Sequence, residues 1–177
     1  MVMALGLPAI QRVTLQKVNS TTRKFIGLIR TVRNDSILLN RVHRLVINFE
    51  KKQWWVEEQT QFKLLTDAST EPPPKAKKGS KGDPPPPSNF AMADKFSKEP
   101  MPMPSGVEFS GVLKEREGLV KEGMVYIHFF PNGFNDQAIL YLNREGSEVV
   151  SYSMLLRPNS GRVELYREAV KSFDVSQ

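Results

Sequence analysis

The sequence contains no cysteine and only two histidines among its 177 residues, and these absences remove several classes of protein at once. Without cysteine there is no disulfide framework, no thiolate metal site and no cysteine nucleophile. The histidines, His43 and His128, lie in different strand-like segments, and their spacing is not that of a metal-binding pair. Phosphate-binding glycine loops and nucleophile elbows are also missing. The composition therefore gives little support to an enzyme, and we expect no cofactor.

Long hydrophobic runs are equally scarce, and the opening MVMALGLPAI is a mostly apolar stretch without charge. As a helix, ten residues cover about 15 Å, which is half of a hydrocarbon core about 30 Å thick. No basic region precedes this stretch and no small-residue cleavage site follows it, so it is not a secretory signal. It is either an ordinary helix end or the second half of a longer apolar segment. Gly6 and Pro8 favour the second interpretation, because both are tolerated in membrane helices.

The chain as a whole is balanced enough to fold around one core. It is 40% hydrophobic and carries 25 Lys+Arg against 19 Asp+Glu, a net charge of +6. These values predict one globular domain together with a helix. The excess of basic residues is spread along the chain, so solubility, anionic lipid and nucleic acid all stay open as explanations.

Residues 1–40 are predicted to form one long helix. Arg12, Arg23 and Arg30 fall on one side of it, and the apolar stripe on the other side comprises Ile10, Val13, Val18, Phe25, Leu28, Ile29, Val32 and Leu39. We expect the part above about Phe25 to pack under the sheet of a head domain. The part from Met1 to Val18 is expected to face neighbouring subunits or lipid.

Residues 41–65 change to an alternating pattern, and residues 44–59 predict a β-hairpin. Residues 66–105 then become rich in proline and lysine, and we expect an extended or disordered excursion there, outside the core. Its lysines could contact nucleic acid. A solvated linker explains them more simply, because no aromatic residues are interleaved for base stacking.

Residues 106–177 return to strand-like segments separated by turn sequences. Five segments qualify: VEFSGVL, MVYIHFF, AILYL, VVSYSMLL and RVELY. Both faces of MVYIHFF are largely apolar, so this strand is either central or covered by the helix on one side and by a second sheet on the other. The predicted fold class is α+β, with a long N-terminal helix on an antiparallel β head domain of two sheets.

Three passages resemble the minor pilins and pseudopilins, most closely the H-type minor pseudopilin of the type II secretion system. MVMALGLPAIQRV resembles the second half of the family's membrane helix. KFIGLIRTVRNDSILLNRVHRLVINFEKKQWWVE is similar to its passage from helix to apolar hairpin. IHFFPNGFNDQAILYL, followed by SMLLRPNSGRVELY, resembles its C-terminal succession of strands and proline-glycine turns.

The resemblance implies a subunit of a short periplasmic filament that helps to drive protein export. It implies a head domain in the periplasm of a Gram-negative bacterium, anchored at the inner membrane. Partners would be other pseudopilins, membrane lipid and the secretion assembly platform. The prepilin leader and methylated amino terminus would lie upstream of Met1. Residues assigned to the membrane or assembly helix are Met1, Val2, Met3, Ala4, Leu5, Gly6, Leu7, Pro8, Ala9, Ile10 and Val13.

Two alternatives stay open beside this function. The chain could be a minor pilin of a type IV pilus system, and some minor pilins bind DNA for uptake through basic residues near the C-terminus. Such residues are present here as Arg157, Arg162, Arg167 and Lys171. However, Glu164 occupies a position where DNA-binding relatives tend to carry another basic residue, which disfavours a nucleic-acid partner.

Overall fold

The fold is taken from a computed structural model, which describes residues 7–60 and 89–174 and, within the helix, side chains from Leu15 onward. In this part of the chain a single helix precedes ten short strands. The elements are α1 (Leu7–Leu38), β1 (His43–Asn48), β2 (Gln53–Gln59), β3 (Phe90–Met92), β4 (Met101–Pro102), β5 (Val107–Lys114), β6 (Gly118–Val120), β7 (Met124–Phe129), β8 (Ala138–Arg144), β9 (Tyr152–Leu156) and β10 (Val163–Tyr166).

Helix α1 buries one stripe, as its periodicity predicts. Phe25, Ile29 and Val32 are buried in the core, whereas Arg23 and Arg30 are exposed. Burial also reaches further down than expected, because Val18 is 0% exposed. The expectation that the helix faces outward as far as Val18 was therefore wrong.

The helix ends two residues before the predicted boundary. Asn40 adopts a positive φ of 50°, the N–H of Arg41 donates to the carbonyl of Ser36, and the N–H of Asn40 donates to that of Ile37. These are the two hydrogen bonds of a Schellman motif, which satisfies the last helical carbonyls. The motif turns Leu39 out of the helical stripe. Leu39 is consequently 52% exposed, and its predicted place in the core was wrong.

The first sheet has the order β3-β2-β1-β7, with β4 also paired to β2. Strands β1 and β2 form the predicted hairpin, with Leu45 opposite Val56. Strand β7 is not central in this sheet but forms its edge. Helix α1 covers one face of β7, where Val125 and Ile127 are buried, but no second sheet formed by the described residues covers the other face.

The excursion predicted for residues 66–105 is shorter than expected at its C-terminal end. Residues 61–88 lie outside the described residues, but β3 pairs with the end of β2 and β4 with its beginning. Ala93 is buried, and Phe96 and Met103 pack against the core. The prediction of an extended or disordered excursion was therefore wrong for residues 89–105. A few apolar side chains and backbone hydrogen bonds to β2 are enough to attach a proline-rich stretch to the sheet.

The second sheet has the order β10-β9-β8-β5-β6 and is antiparallel throughout. Its inner face supplies Leu140 and Met154 to the main core, beneath α1. On its outer face Ile139, Tyr141 and Leu155 form a smaller cluster, which Val170 of the C-terminal segment covers. One helix on two antiparallel sheets confirms the predicted α+β class and the presence of two sheets.

Candidate assembly surface

Both histidines are hydrogen-bonded structural residues. His43 begins β1 and is buried beneath the last turn of α1, where its Nδ1 lies 3.1 Å from the Ser36 hydroxyl. Because that hydroxyl donates to the carbonyl of Val32, its oxygen is left to accept the Nδ1–H of His43. Burial lowers the pKa of His43, although a hydrogen bond to the Arg41 carbonyl and the charge of Glu58 oppose this. The net effect lowers the pKa, which favours the neutral imidazole.

Ser36, His43 and Glu58 follow one another in space like a catalytic triad, with 3.8 Å from His43 Nε2 to Glu58 Oε2. The order of groups is superficial, since Ser36 is fully buried and its hydroxyl proton is already donated to the helix. A nucleophile must reach its substrate. This cluster instead fixes the end of α1 on β1.

His128 is paired with Asp136 at the edge of the first sheet. Its Nδ1 lies 2.9 Å from Asp136 Oδ2, and the same carboxylate accepts the backbone N–H of His128. Burial raises the pKa of Asp136, but the hydrogen bonds and charge of His128 outweigh it, and the net pKa is lowered. The pair closes the β7–β8 connection onto the sheet. Within the described residues no group of three or more potential ligands could hold a metal ion.

The residues assigned to the membrane or assembly helix divide into two groups. Met1 to Gly6 lie outside the described residues. Leu7, Pro8, Ala9, Ile10 and Val13 belong to α1, but their side chains are not described. No helix in the described ranges is both long enough and apolar enough to cross a bilayer.

The four basic residues considered for nucleic-acid contact differ in the structure, because one is paired and three are exposed. Arg157 forms a two-pronged ion pair with Glu164, with distances of 3.1 Å and 2.9 Å, and also donates to the carbonyl of Phe173. Arg162, Arg167 and Lys171 are exposed. The sequence indicated that Glu164 weakens this basic cluster. In the structure Glu164 is the direct partner of one of the four residues, Arg157.

A groove of about 670 Å³ lies beside the lower part of α1. Leu15, Gln16 and Asn19 form its helical wall, while Arg144 is the last residue of β8 and Val149 lies in the β8–β9 connection. Arg167, directly after β10, also borders it. Sequence reasoning assigned no role to Arg144 or Val149, because nothing in the local pattern shows that this connection meets the helix.

The two sheets and their single long helix can be compared with known structures. Neither a protein-family model nor a protein of curated function matches the sequence. The crystal structure of the minor pseudopilin EpsH from the type II secretion system of Vibrio cholerae matches with a TM-score of 0.54, covering 89% of this chain and 98% of that chain at 12% identity. The fold is that of a minor pseudopilin. A second structure of Vibrio cholerae EpsH gives a TM-score of 0.55 at 11% identity, covering 88% and 99%.

The resemblance drawn from three sequence passages is thereby confirmed at the level of the pseudopilin fold. Nearly the whole of EpsH, 98% of that chain, finds a counterpart here. The described part of α1 and the groove beside it are the candidate functional surfaces.

Proposed function

We propose that this chain is a minor pseudopilin of a type II secretion system, a structural subunit of a short periplasmic filament that helps to drive protein export. The observation that carries the proposal is the fold, because the chain covers 98% of EpsH with one helix on two antiparallel sheets. The uncharged opening residues support a place for the start of α1 among neighbouring helices or in lipid. In this proposal the head lies in the periplasm and the partners are other pseudopilins and the assembly platform.

Helix α1 suits this role because its two parts differ. From Val18 upward it supplies the core of its own head, and below Val18 it offers a surface to others. Leu15 is 50% exposed although it is apolar and lies in a helix. Pro8 lies in the first described turn of α1, where proline is tolerated because its missing N–H has no helical partner to lose.

The alternative is a type IV minor pilin, with capture of DNA for uptake. The exposure of Arg162, Arg167 and Lys171 favours it, since phosphate contacts use accessible cations. The pairing of Arg157 with Glu164 counts against it, because that guanidinium is already neutralised.

Deletion of the gene in its own bacterium tests the two systems against each other. For a secretion subunit, exported enzymes should accumulate in the periplasm while twitching motility and DNA uptake continue, and the full chain supplied in trans should restore export. Normal export together with lost twitching or uptake would overturn the proposal in favour of the pilus alternative. Normal behaviour in all three assays would exclude both.

A further inference from the structure

Part of the helix-facing side of the second sheet is left uncovered. In the register of β9 and β10, Leu165 lies opposite Met154, so both side chains point to the same face. Met154 is buried in the main core, whereas Leu165, one strand further out, is 40% exposed. Leu15 on α1 and Val149, which is 74% exposed, add further apolar surface at the lower end of this face. Leu15, Val149 and Leu165, here called the apolar strip, leave exposed apolar surface in and beside the groove, and such surface marks a contact site.

Arginines border this strip. Arg144 and Arg167 line the groove, and neither forms an ion pair with any residue that the structure describes. At 100° per residue, Arg23 and Arg30 lie within about 40° of the groove residue Asn19, on the same flank of α1. The acids nearest to Arg144 and Arg167 in sequence do not line the groove: Glu145 is paired with Lys52 at 2.6 Å, and Glu148 and Glu168 are exposed. The combination calls for an occupant that is apolar along one side and acidic along its margins.

A second copy of α1 does not have this chemistry. The helix contains six basic residues, Arg12, Lys17, Arg23, Lys24, Arg30 and Arg33, and one acid. That acid, Asp35, is buried and paired with Lys95 at 2.6 Å, so it cannot serve a neighbouring chain. Two such helices laid side by side would place like charges together, which opposes association.

We infer that the groove beside α1 binds an amphipathic helix with acidic margins from a different subunit, and that its arginines exclude a second copy of this chain. The inference rests on the assembly role proposed above, and it adds the chemistry of the partner. Leu15, Leu165 and Val149 supply the apolar contact, while Arg144 and Arg167 supply specificity for acids. The presence of the apolar side chains Leu15 and Val149 in the same groove as the arginines favours a helix over nucleic acid, whose phosphates need only cations.

The test uses the full chain and a synthetic amphipathic peptide of about 20 residues, long enough to form a helix on the surface. The peptide has leucine on one face and glutamate on its margins, and two analogues replace every glutamate with glutamine or lysine. Binding is measured by fluorescence anisotropy. The glutamate peptide should bind about tenfold more tightly than the glutamine analogue, and the lysine analogue should not bind.

Charge reversal in the chain makes the test specific to the groove. The double variant Arg144→Glu/Arg167→Glu should lose at least about tenfold in affinity for the glutamate peptide and gain affinity for the lysine analogue. Arg116→Glu/Lys121→Glu, which changes the net charge equally at two exposed sites outside the groove, is the matched control and should have no effect. If the double variant does not fold, Asn19→Glu places an acid in the same groove from the helical wall.

Equal binding of the glutamate and glutamine peptides, or equal binding by wild type and groove variants, would overturn the inference. Three further assays compare wild type with the double variant: self-association in sedimentation, binding to phosphatidylglycerol vesicles and binding to duplex DNA. If the peptide does not bind and one of these signals is lost in the double variant, the groove is assigned to that other occupant. Because the peptide assay does not involve export, its failure beside a positive deletion phenotype would remove the groove inference alone.

Discussion

At the scale of single residues, buried polar groups in this chain serve the fold. His43, Ser36 and Asp35 all lie at the upper end of α1, and each finds its partner on a neighbouring element or in the helix itself. Buried polar groups of this kind are costly unless they are hydrogen-bonded. Their pairing here explains how polar residues can occupy the helix stripe without breaking the core.

His43 should make stability depend on pH in a defined window. Burial lowers its pKa in the folded chain, so the unfolded chain binds the proton more readily. Stability is therefore complete above the unfolded value of about 6.5 and falls as the pH drops below it. The carboxylates with lowered pKa, Asp136 and Glu164 among them, lose their contribution only below about pH 4.3.

Thermal unfolding between pH 7.5 and pH 5 measures this dependence. The melting temperature of the wild type should fall across the range, whereas that of His43→Asn should be lower at neutral pH but nearly flat. His128→Asn serves as the comparison for a histidine at the sheet edge. A wild-type profile as flat as that of His43→Asn would contradict the assignment.

At the scale of elements, α1 holds the two sheets together through aromatic contacts. The ring of Phe25 meets Trp54 of β2 edge-on at 5.0 Å and Phe109 of β5 edge-on at 4.9 Å. Trp54 belongs to the first sheet and Phe109 to the second, so one helical side chain contacts both.

Phe25→Ala should therefore be severely destabilising. Loss of the buried ring removes its hydrophobic burial and leaves a cavity between the sheets, at a cost of about 3–5 kcal/mol in the free energy of unfolding. Lys24→Ala, on the exposed side of the same turn, should change it by less than about 0.5 kcal/mol. Urea denaturation measures both, and similar midpoints for the two variants would count against the role given to Phe25.

A second contact of α1 with the head depends on the close approach of Arg33 to the backbone of a turn. Gly161, in the β9–β10 turn, has a φ of 60°, and a Cβ added there would lie 2.1 Å from Arg33 Nε. That nitrogen donates to the carbonyl of Gly133 at 2.9 Å, so Arg33 connects the helix to both turns at the upper end of the head. The absence of a side chain at Gly161 makes room for this connection.

Gly161→Ala should cost more than Gly118→Ala, although both residues have positive φ. Gly118, at φ 72°, has open space around its missing Cβ, so its substitution should cost about 1 kcal/mol for the backbone conformation alone. Gly161→Ala should cost at least about 1 kcal/mol more, because Arg33 must move and lose its hydrogen bond. In an Arg33→Ala background this excess should disappear, as a double-mutant cycle would measure.

The sequence predicts these elements unevenly. The β1–β2 hairpin and the five strand segments predicted in the second half follow from alternation and turn residues, and the structure confirms them. Strands β3, β4 and β6 were missed because they are only three, two and three residues long, and β3 and β4 also lie among prolines. The edge position of β7 could not be predicted, since two apolar faces describe a central strand equally well. The groove depends on the meeting of α1 with the β8–β9 connection, which no local pattern contains.

At the scale of the whole molecule, the head has one core that both sheets share. Helix α1 packs on β1 and β7 of the first sheet and on β5, β8 and β9 of the second. Residues from all these elements belong to one buried cluster. A domain organised in this way is expected to unfold in a single cooperative step.

Tryptophan fluorescence and far-ultraviolet circular dichroism together test this cooperativity. Both tryptophans, Trp54 and Trp55, lie in β2 of the first sheet, whereas circular dichroism reports on the helix and both sheets. The two denaturation curves should therefore coincide. A separate, earlier transition in fluorescence would mean that the first sheet unfolds independently.

The seating of α1 across both sheets also has a mechanical consequence. From Val18 to Val32 its buried side chains extend over about 21 Å of the helix axis, and they engage strands on either side. A force along that axis acts on all of these contacts at the same time, as shear. The contacts therefore resist it together, and none of them breaks before the others. A force applied along α1 would thus be transmitted to the entire head at once.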